Sequence, residues 1–201
     1  MNTIWKSGTK KAYYGYLGSL ILGFLGSIVI AVSALSGAAQ LVSTGQVSTP
    51  VFPIIVYIAV FAATAYYIMG LAEMKKAAES TALASGTSKL FNAAIISAVV
   101  AVLNVIFLFT PIIGSGIILA IADLVAFFIM WKGFSEIKEN ATNAFAQEGG
   151  AQLAKSSLLS LIAAVVALIP VIGSLAALVL LIIALIKAIK GWKALANSDL
   201  E

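Results

Sequence analysis

Six stretches of this chain run for close to 20 residues with almost no charge, and nothing else in the sequence constrains the fold as strongly. They cover residues 12–35, 51–72, 91–110, 112–131, 153–169 and 171–189. A helix needs about 20 mostly apolar residues to cross the ~30 Å hydrocarbon core of a bilayer. Inside that core the backbone must satisfy its own polar groups, so segments of this kind cross as helices. With 62% hydrophobic and 10% charged residues, the chain lies far from a soluble domain, where about 25% of residues are charged. It is equally far from a disordered one, which would be poor in apolar residues. The expected class is an all-α, polytopic transmembrane helical bundle, a single integral membrane domain over residues 1–201.

Short turns divide the runs into pairs. Thr110-Pro111-Ile112-Ile113-Gly114-Ser115-Gly116 separates the third from the fourth, and Pro170-Val171-Ile172-Gly173-Ser174 the fifth from the sixth. One unbroken helix over 91–131 would measure about 60 Å at 1.5 Å per residue, twice the hydrocarbon thickness, so the chain must double back. Proline removes an amide donor and glycine permits reversal, which suits both to the turns. The first two runs are joined by an uncharged polar loop, 36–49. The reading is six spans in three tandem helical hairpins, at about 12–80, 90–148 and 153–198. Span five, about 24 Å long on the same rise, is the shortest. A four-span chain with two re-entrant hairpins gives the same sidedness.

The charges test that layout independently. Twelve lysines fall in four groups: Lys6, Lys10, Lys11; Lys75, Lys76, Lys89; Lys132, Lys138, Lys155; and Lys187, Lys190, Lys193. All four groups lie on one face of a six-span layout, and the opposite loops hold no charge and Pro50, Pro111 and Pro170, with Pro53 at the adjoining start of the second span. The positive-inside rule then places both termini in the cytoplasm of a multi-pass cell-membrane protein. The same lysines attract anionic lipid headgroups. They are too dispersed along the membrane border to serve nucleic acid. Trp5, Tyr13, Tyr14, Tyr16, Tyr66, Tyr67, Phe127, Phe128, Trp131 and Trp192 gather at this face, as an interfacial aromatic belt would.

A repeat runs through the chain. Gly70-Leu71-Ala72-Glu73-Met74-Lys75, Gly133-Phe134-Ser135-Glu136-Ile137-Lys138 and Gly191-Trp192-Lys193-Ala194-Leu195-Ala196 follow the even-numbered spans. Each copy starts on the same side, unlike the inverted repeats of many transporters. Beyond the spans the chain is expected to continue as helix. Phe134, Ile137, Ala141 and Phe145 form one apolar stripe, a possible partner-docking face or a surface laid against lipid or the bundle itself. Lys132 with Glu136, and Lys75 with Glu79, are spaced to pair along one helix. Gly149-Gly150 and Gly86 are expected to end these extensions.

Two features within the spans stand out. Gly15, Ser19, Gly23, Ser27 and Ala31 recur every four residues and make a helix-packing face, since close backbone approach drives association in lipid. Asp123 is the one ionisable residue deep in a span, where charge is costly and often functional. Asn104 lies at nearly the same depth, about 14 Å from the shared turn, so the two form a candidate intramembrane polar pair. Cysteine and histidine are absent, which removes thiol chemistry and the commonest base and metal ligand. No catalytic, metal or cofactor site is expected, and no enzyme. Two functions remain: an accessory or structural subunit that packs with membrane proteins or self-associates, and a small proton or ion carrier centred on Asp123 and Asn104.

Overall fold

In the computed structural model the chain is described over residues 2–44, 51–109, 115–167, 169 and 172–200. These residues form six helices: α1 (Asn2–Thr44), α2 (Val51–Ala78), α3 (Ala84–Phe109), α4 (Ser115–Asn140), α5 (Ala144–Val166) and α6 (Ile172–Ala196). No strand occurs among the described residues. Among the described residues four helices are long and apolar enough to cross a membrane, over Ala84–Asn104, Gly116–Asn140, Ala144–Val166 and Gly173–Ala196. The long apolar runs thus fold as expected for a membrane protein.

The helices form a ring in chain order. Each packs on its neighbour, α6 returns to α1, and among the described residues no helix backbone reaches across the ring. Neighbours within the pairs α1–α2, α3–α4 and α5–α6 run antiparallel, as the matched positions below require. Their outer surfaces are oily. Ile117, Ile118, Leu175 and Phe24 are between 66% and 70% exposed, and exposed large apolar side chains continue along α6 to Ile186. Such a surface is ordinary in lipid and untenable in water.

The packed core sits at the end of the ring that carries the lysines. Trp5, Leu71, Met74, Leu90, Phe134, Ile137, Leu153, Trp192 and Leu195 are buried there together. Side chains fill the centre that the backbones leave open. The Trp192 ring lies 5.7 Å from both Tyr67 and Phe134 and 6.3 Å from Tyr16, so α6 touches α1, α2 and α4 through one indole.

Three sequence expectations change here. Helices α2 and α4 stop at Ala78 and Asn140, and Gly86, Gly149 and Gly150 lie inside the next helices. Local polar side chains set these breaks by competing for backbone groups. The Thr81 hydroxyl donates to the Ala78 carbonyl at 2.8 Å, and Asn143 caps α5 by accepting from the Phe145 and Ala146 amides. The aromatic belt is also divided: Tyr14, Tyr66 and Phe128 are exposed, while Trp5 and Trp192 are buried in the core. Finally, Glu136 pairs between helices, with Lys89, rather than with Lys132, whose ammonium lies 4.8 Å above the Trp131 ring.

Candidate functional site

One contact occurs three times at the lysine-bearing end. Gly8 of α1 meets Gly70 of α2, Gly86 of α3 meets Gly133 of α4, and Gly149 of α5 meets Gly191 of α6. In each pair either glycine sits against the other's carbonyl. A Cβ on Gly8 or Gly70 would lie 2.8 or 2.7 Å from that oxygen, and one on any of the other four would lie 2.9 Å away. Real Cβ atoms do not come so close. Only glycine permits this approach, in which backbone dispersion and weak Cα–H···O contacts hold the helices.

Three residues further on, two of the crossings carry an ion pair. Lys11 donates to Glu73 between α1 and α2, and Lys89 donates to Glu136 between α3 and α4. Desolvation pushes both carboxyls up. The lysine hydrogen bonds, those of Ser7 to Glu73 and Ser85 to Glu136, and the lysine charge outweigh it, so both sit below the ordinary carboxylate range. At the third crossing the same register holds Gln152 and Ala194, and the Gln152 Oε1 atom is buried with no hydrogen-bond partner among the described residues, as are Glu73 Oε2 and Glu136 Oε2 at the first two. An amide left so costs about 1–3 kcal/mol.

The second half of this pattern, Gly-x-x-Glu-x-Lys, is visible in the sequence. The first half is apparent only once the helices are paired: Ser7-Gly8-Thr9-Lys10-Lys11 matches Ser85-Gly86-Thr87-Ser88-Lys89, with Glu148-Gly149-Gly150-Ala151-Gln152 as the divergent copy. The Thr9 and Thr87 hydroxyls are buried and donate to the carbonyls four residues back, of Trp5 and Leu83.

The chain ends close the ring. Trp5 Nε1 donates to Ser198 Oγ at 3.0 Å, the Leu200 amide donates to Asn2 Oδ1 at 3.2 Å, and Lys6 pairs with Asp199 at 2.7 Å. Between these ends and the two connections at 80–83 and 140–143 lies a cavity of about 300 Å³, lined by Thr81, Asn140, Asn143 and Asp199 among others.

The residues singled out from sequence are distributed as follows. Phe134, Ile137 and Ala141 are buried in the chain's own core, and Phe145 is exposed. Gly15 packs on the backbone of Tyr67, and the Ser19 hydroxyl donates to the Tyr16 carbonyl. A Cβ on Gly23 would meet nothing within 4 Å, and the side chains of Ser27 and Ala31 lie outside the described ones. Asp123 is half-buried on α4 and Asn104 exposed on α3, with no hydrogen bond between them among the described contacts. No group of three potential metal-ligating side chains occurs among the described residues. No protein-family model matches the chain, and neither does a curated protein or a solved structure.

Proposed function

We propose that the chain is a six-span membrane protein, built as three tandem hairpins with both termini in the cytoplasm. It works without catalysis, as a structural or accessory subunit that packs with other membrane proteins or with itself. One observation carries this reading. The strong polar contacts of the charged end join parts of this chain to one another: Lys11 to Glu73 and Lys89 to Glu136 between helices, and Lys6 to Asp199 and Trp5 to Ser198 between α1 and the segment after α6. Chemistry spent on holding three hairpins in a ring serves assembly, and the oily outer surface is what remains to meet neighbours in the bilayer.

The absence of native cysteine makes the topology directly testable. Single cysteines at Ser48 and Asn197 are expected to react and to resist, respectively, when intact cells meet a membrane-impermeant maleimide; the reverse pattern would invert the protein. For the role itself, cross-linking in native membranes is expected to give one saturable complex larger than a monomer. A monomer alone, combined with proton flux in liposomes that Asp123→Asn abolishes, would replace this reading with transport.

A further inference from the structure

The three junctions between hairpins are not alike. At the α4–α5 junction Gly150 lets the helices close: a Cβ there would lie 2.7 Å from the Lys138 amide nitrogen and 3.0 Å from the Phe134 carbonyl. The α2–α3 junction has Thr87 at the same register, one residue after Gly86 as Gly150 follows Gly149. Its side chain is buried, and it occupies room that glycine leaves empty. A pocket of about 390 Å³ opens at this junction. Lys75, Lys76, Ser88 and the carboxylate-bearing Glu79 line it with Ala72, Ala84 and Phe91, so its lining carries one positive charge in excess. Neither lysine forms an ion pair among the described residues, and the Lys75 ammonium stands 5.1 Å over the Phe91 ring.

An oily track leads away from the pocket. Ile95, Val99, Val102 and Ile106 follow Phe91 along α3 at spacings of three and four, and all four are exposed. Met69, Ile58 and Ile55 are exposed along α2. From Phe91 to Val102 is about 17 Å at 1.5 Å per residue, close to one leaflet of a hydrocarbon core ~30 Å thick. A positively charged head pocket continuous with an apolar track one leaflet deep has the shape and polarity of a phospholipid.

We propose that the α2–α3 junction is a binding site for one anionic phospholipid, its phosphate held by Lys75, Lys76 and the Ser88 hydroxyl and an acyl chain lying along Ile95, Val99 and Val102. This rests on α2 and α3 being spans whose joined ends reach the cytoplasmic headgroups. The maleimide experiment tests that premise separately, so either can fail alone. Basic pockets between spans at the cytoplasmic face are suited to such headgroups.

The test titrates detergent-purified full-length protein with phosphatidylglycerol and counts bound lipids by native mass spectrometry. One saturable lipid is expected, with phosphatidylcholine binding far more weakly. Each lysine near an anionic surface is worth on the order of a factor of five, so Lys75→Gln with Lys76→Gln should weaken binding roughly thirtyfold. Lys10→Gln with Lys155→Gln, removing two exposed lysines from the same face, should leave it unchanged. Equal losses in the two double variants would mean diffuse attraction and overturn the site. Competition by inorganic phosphate or glycerol phosphate as strong as by the lipid would make it a soluble-anion site and overturn the lipid assignment. Should the lysine variants not fold, Phe91→Trp keeps both lysines. Brominated phosphatidylglycerol must quench its added fluorescence, and no quenching beyond that of the native tryptophans would also overturn the proposal.

Discussion

The first two crossings and the third solve one packing problem in different ways. All three bring two glycines into backbone contact, but only α1–α2 and α3–α4 add a lysine–glutamate pair. The third compensates with bulk. The residue after the second glycine is Leu71, Phe134 or Trp192, and the largest belongs to the crossing without the ion pair. A partly exposed ion pair is worth about 0–1 kcal/mol, whereas a buried large aromatic is worth several. Helix α6 thus contributes the residue that holds the other helix pairs around it, and the ion pairs fix register more than they add stability.

The comparison breaks first at that residue. Trp192→Ala removes an indole packed on Tyr16, Tyr67 and Phe134, and is expected to cost about 3–5 kcal/mol. Leu71→Ala, at the matching position, removes a smaller side chain and should cost less, within the range of about 2–5 kcal/mol for a buried Leu→Ala. Thermal midpoints in mild detergent rank the two variants, and an equal or reversed order would remove Trp192 from its central place.

Next come the glycines. Gly133→Val and Gly191→Val both drive a side chain into a facing carbonyl 2.9 Å away, at about 1–3 kcal/mol. Each also meets a leucine side chain, Leu90 at 2.9 Å or Leu153 at 2.6 Å, and since neither neighbour belongs to an ion pair the cost should be the same with such a pair nearby or without one. A much milder effect at Gly191 would show the third crossing to be loose, which matched midpoint measurements detect.

How much of this is written in the sequence depends on the distance over which each feature acts. The spans are local: 20 apolar residues are the same signal wherever they pack. The repeated Gly-x-x-Glu-x-Lys tail is local too. What Glu73 and Glu136 touch is not, since their lysines lie 62 and 47 residues away, and no periodicity spans such a gap. Aromatic placement failed for a related reason. Trp5 and Tyr14 sit equally well in a sequence-level belt, and only the ring of helices decides that Trp5 turns inward to Ser198 while Tyr14 stays out. The Phe134–Ile137–Ala141 stripe was readable as a buried face, but its occupant was not: Ile137 Cγ1 lies beside Gly86 of α3, and Phe134 beside Trp192 of α6.

Acid separates the crossings further. Glu73 and Glu136 titrate below their unfolded values, so between the two the unfolded chain binds more protons and stability rises with pH. Their contribution is complete above the unfolded glutamate pKa of about 4.3 and disappears as pH falls through the folded values beneath it. The midpoint of the wild type should therefore drop on acidification below about pH 4. Glu73→Gln with Glu136→Gln should flatten that drop while costing no more than about 1 kcal/mol per pair at pH 7. An unchanged acid slope in the double variant would assign the pH dependence elsewhere, Asp199 with Lys6 being the next ion pair.

The smallest effect is a gain. Building the missing pair needs Gln152→Lys and Ala194→Glu, but these two alone should fail, because Glu148 stands where Ser7 and Ser85 stand in the other copies. A glutamate at 194 would meet that carboxylate where Glu73 and Glu136 meet a hydroxyl. Gln152→Lys already removes the buried, unpaired Gln152 oxygen, and adding Glu148→Ser restores the full pattern. The triple variant should gain up to about 1 kcal/mol over the wild type, and the double variant should fall short of it. A double variant as stable as the triple would mean that the serine of the pattern is incidental and that lysine and glutamate alone define the clamp.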